Sequence, residues 1–477
     1  MKKIFQNYKH EFILGVLICI YIAYFTLASF LRYDNFYTGR YDLGNMDQTV
    51  WNTINGRIFQ ASDDNGIIIS RLSGHADFIL ILLSPFYLLW AHPKMLLLIQ
   101  TIILALGAIF IFLIAKNILK NKTFALFFGF SYLMYPALQF TNLYDFHAVT
   151  IATTTLLAAF YFLLKQKYLL LALFLAMSGL AKEQIWIITS IFGLFVFFKV
   201  KNKKLLGLGM FFLSLAAFYY LIWIAIPAST GRQHFALTYY SEFGNSPAEV
   251  IKSVLLSPHK IVLTTLGTAR SDYLKQLFMP LGFISLLSPT YLIFAIPDSL
   301  INLLSNNGQL HQIYYQYSAA ITPFIFISGI FGVKQFTRWF PKIPKQHIAF
   351  YLLFFTFFSA YSFGPLPGAK NPNIDMFTKP QPNKEIIENF LSKIPEKYSV
   401  AATNNLGSHL SRREIIYTIP IGIDKANVIL FLLNDNWARP SLRAQKEMTD
   451  NMKSDKRYIK VFEKDDFAVF KKQGVLL

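Results

Sequence analysis

The sequence predicts a mainly α-helical bundle that crosses a membrane many times, followed by a small α/β domain. Three observations predict it. Of 477 residues, 54% are hydrophobic and only 15% charged, more apolar surface than a soluble chain of ordinary composition buries. The apolar residues gather into runs near bilayer length, separated by short basic clusters. After Phe363 the composition turns polar. The formal charge of +19 falls mainly in those clusters, so it reads as a topology signal and argues against nucleic acid as a partner. The 48 Phe and 26 Tyr suit lipid-facing surfaces and interfacial belts. The single cysteine, Cys19, lies in the first apolar run and leaves no intrachain disulfide or Cys-based metal site.

The first run, 12–31, follows Lys2, Lys3 and Lys9. It is as long as a span and lacks a convincing small-residue cleavage site, so it reads as a retained signal-anchor. Further runs lie at 95–115, 123–139, 148–164, 168–180, 184–198, 205–227, 276–304, 317–333 and 347–363. At roughly 20 residues per crossing, residues 1–363 make about ten or eleven spans. Placing the basic clusters in the cytoplasm puts the N-terminus there too. It leaves 76–91, with Asp77 and Pro85, as an interfacial or half-inserted helix in a first outer loop, 32–94. The 276–304 stretch must then go in and return, with a break near Pro289 or Pro297. Pro365, Pro367, Pro372, Pro380 and Pro382 mark a linker at 364–382. Residues 383–477 predict a small α/β domain on the outer side. Its elements are helices at 383–393 and 440–453, strands at 398–402, 414–418, 427–433 and 457–463, and a turn at Asp465-Asp466.

This topology collects polar residues from distant segments at one surface. The first loop supplies Asp42, Asp47, Gln48, His75 and Asp77; later turns add Asp145, His147, Lys182, Glu183, His311, Tyr314, Tyr315 and Tyr317. Ionisable groups beside a bilayer are costly enough to need a reason, and several at one level suit a shared cavity better than a series of independent helix caps. Leu43, Met46, Val50 and Ile54 recur at helical spacing, so one face of that segment is expected on the bilayer, with Asp42 at the helix start and Asp47 on a neighbouring face. Asp145-Phe146-His147 is a weak metal signal without further ligands. No metal signature is otherwise legible, which leaves the cofactor unknown and a divalent cation possible. Asn404, Asn405, His409, Arg412 and Arg413 fit either a glycan-binding surface or a shaped turn.

The order of motifs resembles a family of bacterial and archaeal membrane proteins of unknown function grouped with the GT-C glycosyltransferases, which use polyprenyl-phosphate sugars. The resemblance is carried by Tyr41-Asp42-Leu43-Gly44-Asn45-Met46-Asp47-Gln48-Thr49-Val50-Trp51, Gly74-His75 with Ser84-Pro85-Phe86-Tyr87, and Tyr144-Asp145-Phe146-His147. Lys182-Glu183, Gln316-Tyr317-Ser318-Ala319-Ala320 with Pro323, and the stretch from Ala402 to Arg413 complete it. It implies a GT-C-like bundle with interfacial helices in the first outer loop. It also implies a hexosyl- or pentosyltransferase of the plasma membrane, acting on a polyprenyl-phosphate donor within membrane lipid and an unknown outer acceptor. The essential carboxylate of such enzymes maps onto Asp42 or Asp47, which stand five residues apart instead of side by side. Lys182 or His311, and less favourably Arg270, would meet the departing phosphate. A transporter or lipid flippase is the competing reading, although transporters favour repeated halves with polar groups at mid-membrane.

Overall fold

The computed structural model describes residues 2–231, 234–436 and 438–477, with side chains from Tyr8 onward; the side chains of Lys2 and Lys3 lie outside the described residues. The chain opens with one 33-residue helix, Lys2–Asp34. Among the described residues three helical stretches are long and apolar enough to cross a bilayer: Tyr8–Asp34, Pro93–Leu119 and Lys201–Thr230. Shorter apolar helices, among them Thr150–Leu164, Tyr168–Gly179 and Ile185–Lys199, pack around them. The 123–139 run is two helices, Lys122–Leu133 and Pro136–Leu143, because Pro136 cannot continue the first and pushes Tyr135 into extended backbone.

Where backbones approach closely, glycine makes room. A Cβ on Gly193 would lie 2.4 Å from the Phe211 nitrogen and one on Gly207 would lie 2.5 Å from the Phe197 nitrogen. Helices Ile185–Lys199 and Lys204–Tyr219 therefore cross through a small-residue seam of the kind that lets membrane helices pack tightly.

The 276–304 stretch is broken as expected, into short 3₁₀ turns at Met279–Leu281, Ile284–Leu287 and Pro289–Ala295 before helix Ile296–Leu304. The breaks free backbone carbonyls, and helix Thr322–Trp339 satisfies them: the Ser328 hydroxyl donates to the Ser285 and Ser288 carbonyls at 2.6 and 2.8 Å. Irregular backbone inside an apolar bundle persists only where protein supplies such partners.

Residues 76–91 hold a helix that is short for a crossing. Ile79–Leu83 and Ser84–Leu88 make one ten-residue helical stretch, about half of what a crossing requires. A two-stranded hairpin, β1 (Gln60–Ser62) and β2 (Ile68–Ser70), precedes it. Helix Asn45–Ile54 departs from expectation. Leu43, Met46 and Val50 are 0%, 6% and 0% exposed, packed into the main core instead of facing lipid. The apolar face is real, but it packs against Ile79, Leu80, Leu83 and Tyr87 of the same loop, while the C-terminal domain meets the helix through Asp47 and Gln48.

That domain carries a five-stranded mixed sheet, β3 (Val400–Ala402), β4 (Ile416–Thr418), β5 (Val428–Leu432), β6 (Tyr458–Lys464) and β7 (Phe467–Lys472), in the order β4-β3-β5-β7-β6. β3 runs parallel to β4 and β5, and the other pairings are antiparallel. Alternate residues of β5 feed two cores, Val428 and Leu430 on one face, Ile429 and Phe431 on the other, the period-two pattern of a sheet covered on both sides.

The segment after β3 docks on the first loop. The Thr38 and Ser408 hydroxyls meet at 2.7 Å, and Asn404 Oδ1 accepts from the Arg40 amide at 2.9 Å. Arg412 donates to the Ala91 carbonyl at 2.6 Å, and His409 stacks between Tyr33 and Phe36. Asn405 and Arg413 instead bond inside the domain, Asn405 to the Leu432 carbonyl and Arg413 to those of Leu410 and Tyr398. A Cβ on Gly407 would stand 2.2 Å from Arg40 Cβ. Gly407→Ala is therefore expected to loosen this contact by about 1–3 kcal/mol, seen as faster amide hydrogen exchange in residues 38–48 with the β-sheet unaffected.

Candidate functional site

Two polar clusters are assembled from distant segments, and the second of them lines a groove. The first centres on Asp42, in the π-helical turn Arg40–Gly44 that leads into helix Asn45–Ile54. Asp42 does not cap that helix. Its Oδ1 lies 3.0 Å from His147 Nε2, and its Oδ2 accepts from the Tyr144 hydroxyl at 3.1 Å. The turn after helix Pro136–Leu143 aims both partners, since the Gln100 side-chain oxygen accepts the His147 amide at 2.9 Å and so pins the loop to helix Pro93–Leu119. Asp145 accepts the Gly39 amide at 2.8 Å. The Asp42 side chain keeps 34% exposure. Burial raises its pKa, but the charge and hydrogen bond of His147, with the Tyr144 hydroxyl, lower it further and leave it below the usual carboxylate range. Burial and the neighbouring Asp42 charge push Asp145 up to about 6. Two carboxyls so close separate into one ionised and one readily protonated group.

Asp47 has a different setting. It is 0% exposed, accepting from the Tyr87 hydroxyl on one oxygen and from the Ser411 hydroxyl of the C-terminal domain on the other, at 2.5 and 2.6 Å. Burial pushes it up to about 6 against the hydrogen bonds of Ser411 and Tyr87 and the charges of Arg412 and Arg40. Gln48 is a tie in the same seam, donating to the Arg413 and Glu414 carbonyls at 2.8 and 3.0 Å and accepting from Arg40 at 2.7 Å.

The second cluster gathers His75, Lys182, Glu183 and His234. His75 Nδ1 lies 2.9 Å and His234 Nε2 3.3 Å from the same Glu183 oxygen, while the Ala76 amide donates to the other oxygen at 3.0 Å. Burial lowers the His75 pKa although Glu183 opposes it. For Glu183, burial acts upward, and the two histidines with Lys182 outweigh it and hold the carboxylate well below its ordinary range. The half-buried Lys182 has no carboxylate at ion-pair distance among the described residues. Arg71, paired with Asp77 at 2.9 Å, exerts its charge on both Asp42 and Glu183.

These residues line the polar end of a groove of about 360 Å³. Its other wall is apolar: Phe218, Ile222 and Trp223 from the Lys201–Thr230 stretch, with Val250, Ile251 and Val254 from helix Pro247–Leu256. The Lys201–Thr230 stretch is only 17% buried over its most apolar window, so the groove borders the lipid-facing surface. Asp298 and Gln316, each with a buried oxygen lacking a partner, face the same space. An aromatic chain of Tyr144, Tyr315 and Tyr317, with centroids 4.9 and 6.3 Å apart, leads from Asp42 to the groove.

The structure thus brings Asp42, Asp145, His147 and Tyr315 together, and His75, Lys182 and Glu183 together. It places Asp47 and Gln48 in the seam with the C-terminal domain. Arg270 spends its guanidinium on the Leu303 and Ser305 carbonyls at 2.6 and 2.9 Å, and His311 lines a separate cavity of about 560 Å³ with Asp272, Gln276 and Tyr314. Sequence reasoning passed over Arg71, Tyr144 and His234 as individual site residues. Tyr144 stood in a noted motif, whereas His234 lies in a long loop with no spacing signal to Glu183.

No curated protein matches the chain. Among solved structures it is similar to the Archaeoglobus fulgidus oligosaccharyltransferase in the apo form, at TM-score 0.44 and 13% identity over 88% of this chain and 66% of that one. It is also similar to the archaeal oligosaccharyltransferase AglB from Archaeoglobus fulgidus in complex with an inhibitory peptide and a dolichol-phosphate, at TM-score 0.42 and 13% identity over 99% and 75%. The chain therefore spans about two thirds to three quarters of the length of those proteins. A family-level match extends over residues 32–469, nearly the whole region in which the groove and both clusters are built, and by it the chain belongs to the family described as predicted membrane protein (DUF2079).

Proposed function

We propose that this protein is a membrane glycosyltransferase that moves a sugar from a polyprenyl-phosphate donor to an acceptor on the outer side of the plasma membrane, with the C-terminal domain on that same side. The observation that carries the reading is the groove: one apolar wall at the lipid-facing surface, and a polar end holding an unpaired lysine beside a carboxylate cluster. An isoprenoid tail fits the first and a phosphate the second.

Asp42 suits the role of general base, being partly exposed, ionised and oriented by two donors. In the reaction the acceptor hydroxyl oxygen forms the new bond to the anomeric carbon as its proton passes to Asp42. The bond from that carbon to the phosphate oxygen breaks, and the electron pair leaves with polyprenyl phosphate, whose charge Lys182 stabilises. His147 and Tyr144 hold the carboxylate in place, and Asp145 tunes its charge.

The test is release of polyprenyl phosphate from sugar-charged lipid by the purified protein, with candidate acceptors supplied. Acceptor-dependent release supports the reading. Transbilayer movement of the lipid with its sugar intact would establish a flippase instead. Lys182→Ala is expected to raise the donor KM about tenfold and to lower kcat, because the lysine meets phosphate in both ground and transition states.

A further inference from the structure

We infer that His75, Glu183 and His234 form a binding site for a zinc-class divalent cation at the polar end of the groove, resting on the reading of that groove as a lipid-phosphate site. One ligand atom from each of the three residues lies within 4.8 Å of the others. The two donor separations involving Glu183, 2.9 and 3.3 Å, fall a little below the roughly 3.4 Å expected between ligands of a tetrahedral ion with bonds near 2.1 Å. A rotation of one imidazole closes the remaining gap.

Contacts within the cluster fit a common centre better than a hydrogen-bonded end state. His234 Nε2 is buried and stands 3.3 Å from Glu183, yet makes no aligned hydrogen bond. The Glu183 oxygen away from the histidines is fixed by the Ala76 amide, the kind of outer partner that orients a metal-binding carboxylate. In the metal-free arrangement His234 Nδ1 accepts the Ala236 amide at 3.1 Å, so its proton sits on Nε2. Cation binding moves that proton to Nδ1 and gives up the Ala236 contact.

Two imidazoles and one carboxylate with a fourth position open describe a zinc-type site, whereas magnesium and calcium favour all-oxygen shells. The open position faces the groove, where Lys182 also points its charge. Two positive groups at one spot repel each other unless an anion lies between them, which matches a phosphate ligand.

The experiment is titration of the purified, metal-stripped full-length protein in detergent with Co²⁺, following its d–d absorption. Wild type is expected to bind one ion with the intense bands of a tetrahedral site. Glu183→Gln and His234→Ala are expected to weaken binding by more than the about 10–100-fold that loss of an outer partner costs, with His259→Ala unchanged. His234 lies in a loop, so its variant guards against a folding defect at the buried glutamate. Absence of Co²⁺ binding to wild type, or equal binding by His234→Ala, overturns the inference. Perturbation of the cobalt bands by polyprenyl phosphate supports both this inference and the donor reading. Cobalt binding with no lipid-phosphate binding upholds the cation site and overturns the donor reading. Lipid-phosphate binding without cobalt binding does the reverse.

Discussion

Asp42→Asn is expected to lower glycosyl transfer by about 10²–10⁴-fold, the span that general-base catalysis contributes, while leaving membrane insertion and thermal unfolding nearly unchanged. The reason is geometric. The Asp42 carboxylate has one edge held by His147 and Tyr144 and 34% of its side chain open, so an amide of the same shape fits the site. The substitution removes the only property the reaction needs, an ionised oxygen able to take a proton. Initial-rate measurements at saturating acceptor check it. A loss confined to KM would assign Asp42 to binding instead. Because His147 and Tyr144 hold the carboxyl below its usual range, activity is expected to persist to mildly acid pH and to fall only when Asp42 itself takes up a proton.

Asp47 is expected to act on a different quantity, the docking of the C-terminal domain. Its carboxyl is raised from 3.8 to about 6, so the docked state binds the proton more tightly than an undocked, solvated one. The sign follows: docking is tightest below pH about 4, weakens as pH rises through the interval to about 6, and is level above it, a total of about 2–3 kcal/mol. Amide protection in residues 404–413, measured at pH 5 and pH 7.5 and corrected for the intrinsic pH dependence of exchange, should be greater at the lower pH. Asp47→Asn carries no ionisable group and should flatten that difference while retaining much of the transfer activity. An unchanged pH response in Asp47→Asn would move the effect to Asp145, which rises into the same range. The two aspartates of the opening motif would then be separable, Asp42 by turnover and Asp47 by docking.

Several elements were legible because they rest on local rules. The C-terminal helices Lys384–Lys393 and Leu442–Ser454 and strands β3 to β6 lie within two residues of their expected positions, and the turn between β6 and β7 falls at Asp465-Asp466. Periodicity and turn residues act over a few positions and leave marks there. The shortness of the helix in 76–91 was legible, and so were the breaks in the 276–304 stretch. The apolar face of Asn45–Ile54 was found, but its covering was misassigned, since periodicity reports that a face is buried and not what buries it. In a membrane protein both lipid and the protein's own helices are candidates, and here the helices of the same loop do it.

By itself, then, the sequence determined that the chain is an apolar helical protein with a polar C-terminal α/β unit, and that its ionisable groups gather at the ends of helices. Burial costs make those features visible one residue at a time: a charge near lipid needs a partner, and a run of apolar residues needs a nonaqueous surrounding. Only the tertiary structure decided which of the aspartates keeps an exposed edge, that Asn404 and His409 clasp the first loop, and that His234 meets His75 and Glu183. Those assignments depend on contacts between residues more than a hundred positions apart, Asp42 with His147, Asp47 with Ser411. Their energies arise from geometry in space, which composition and spacing along the chain do not encode.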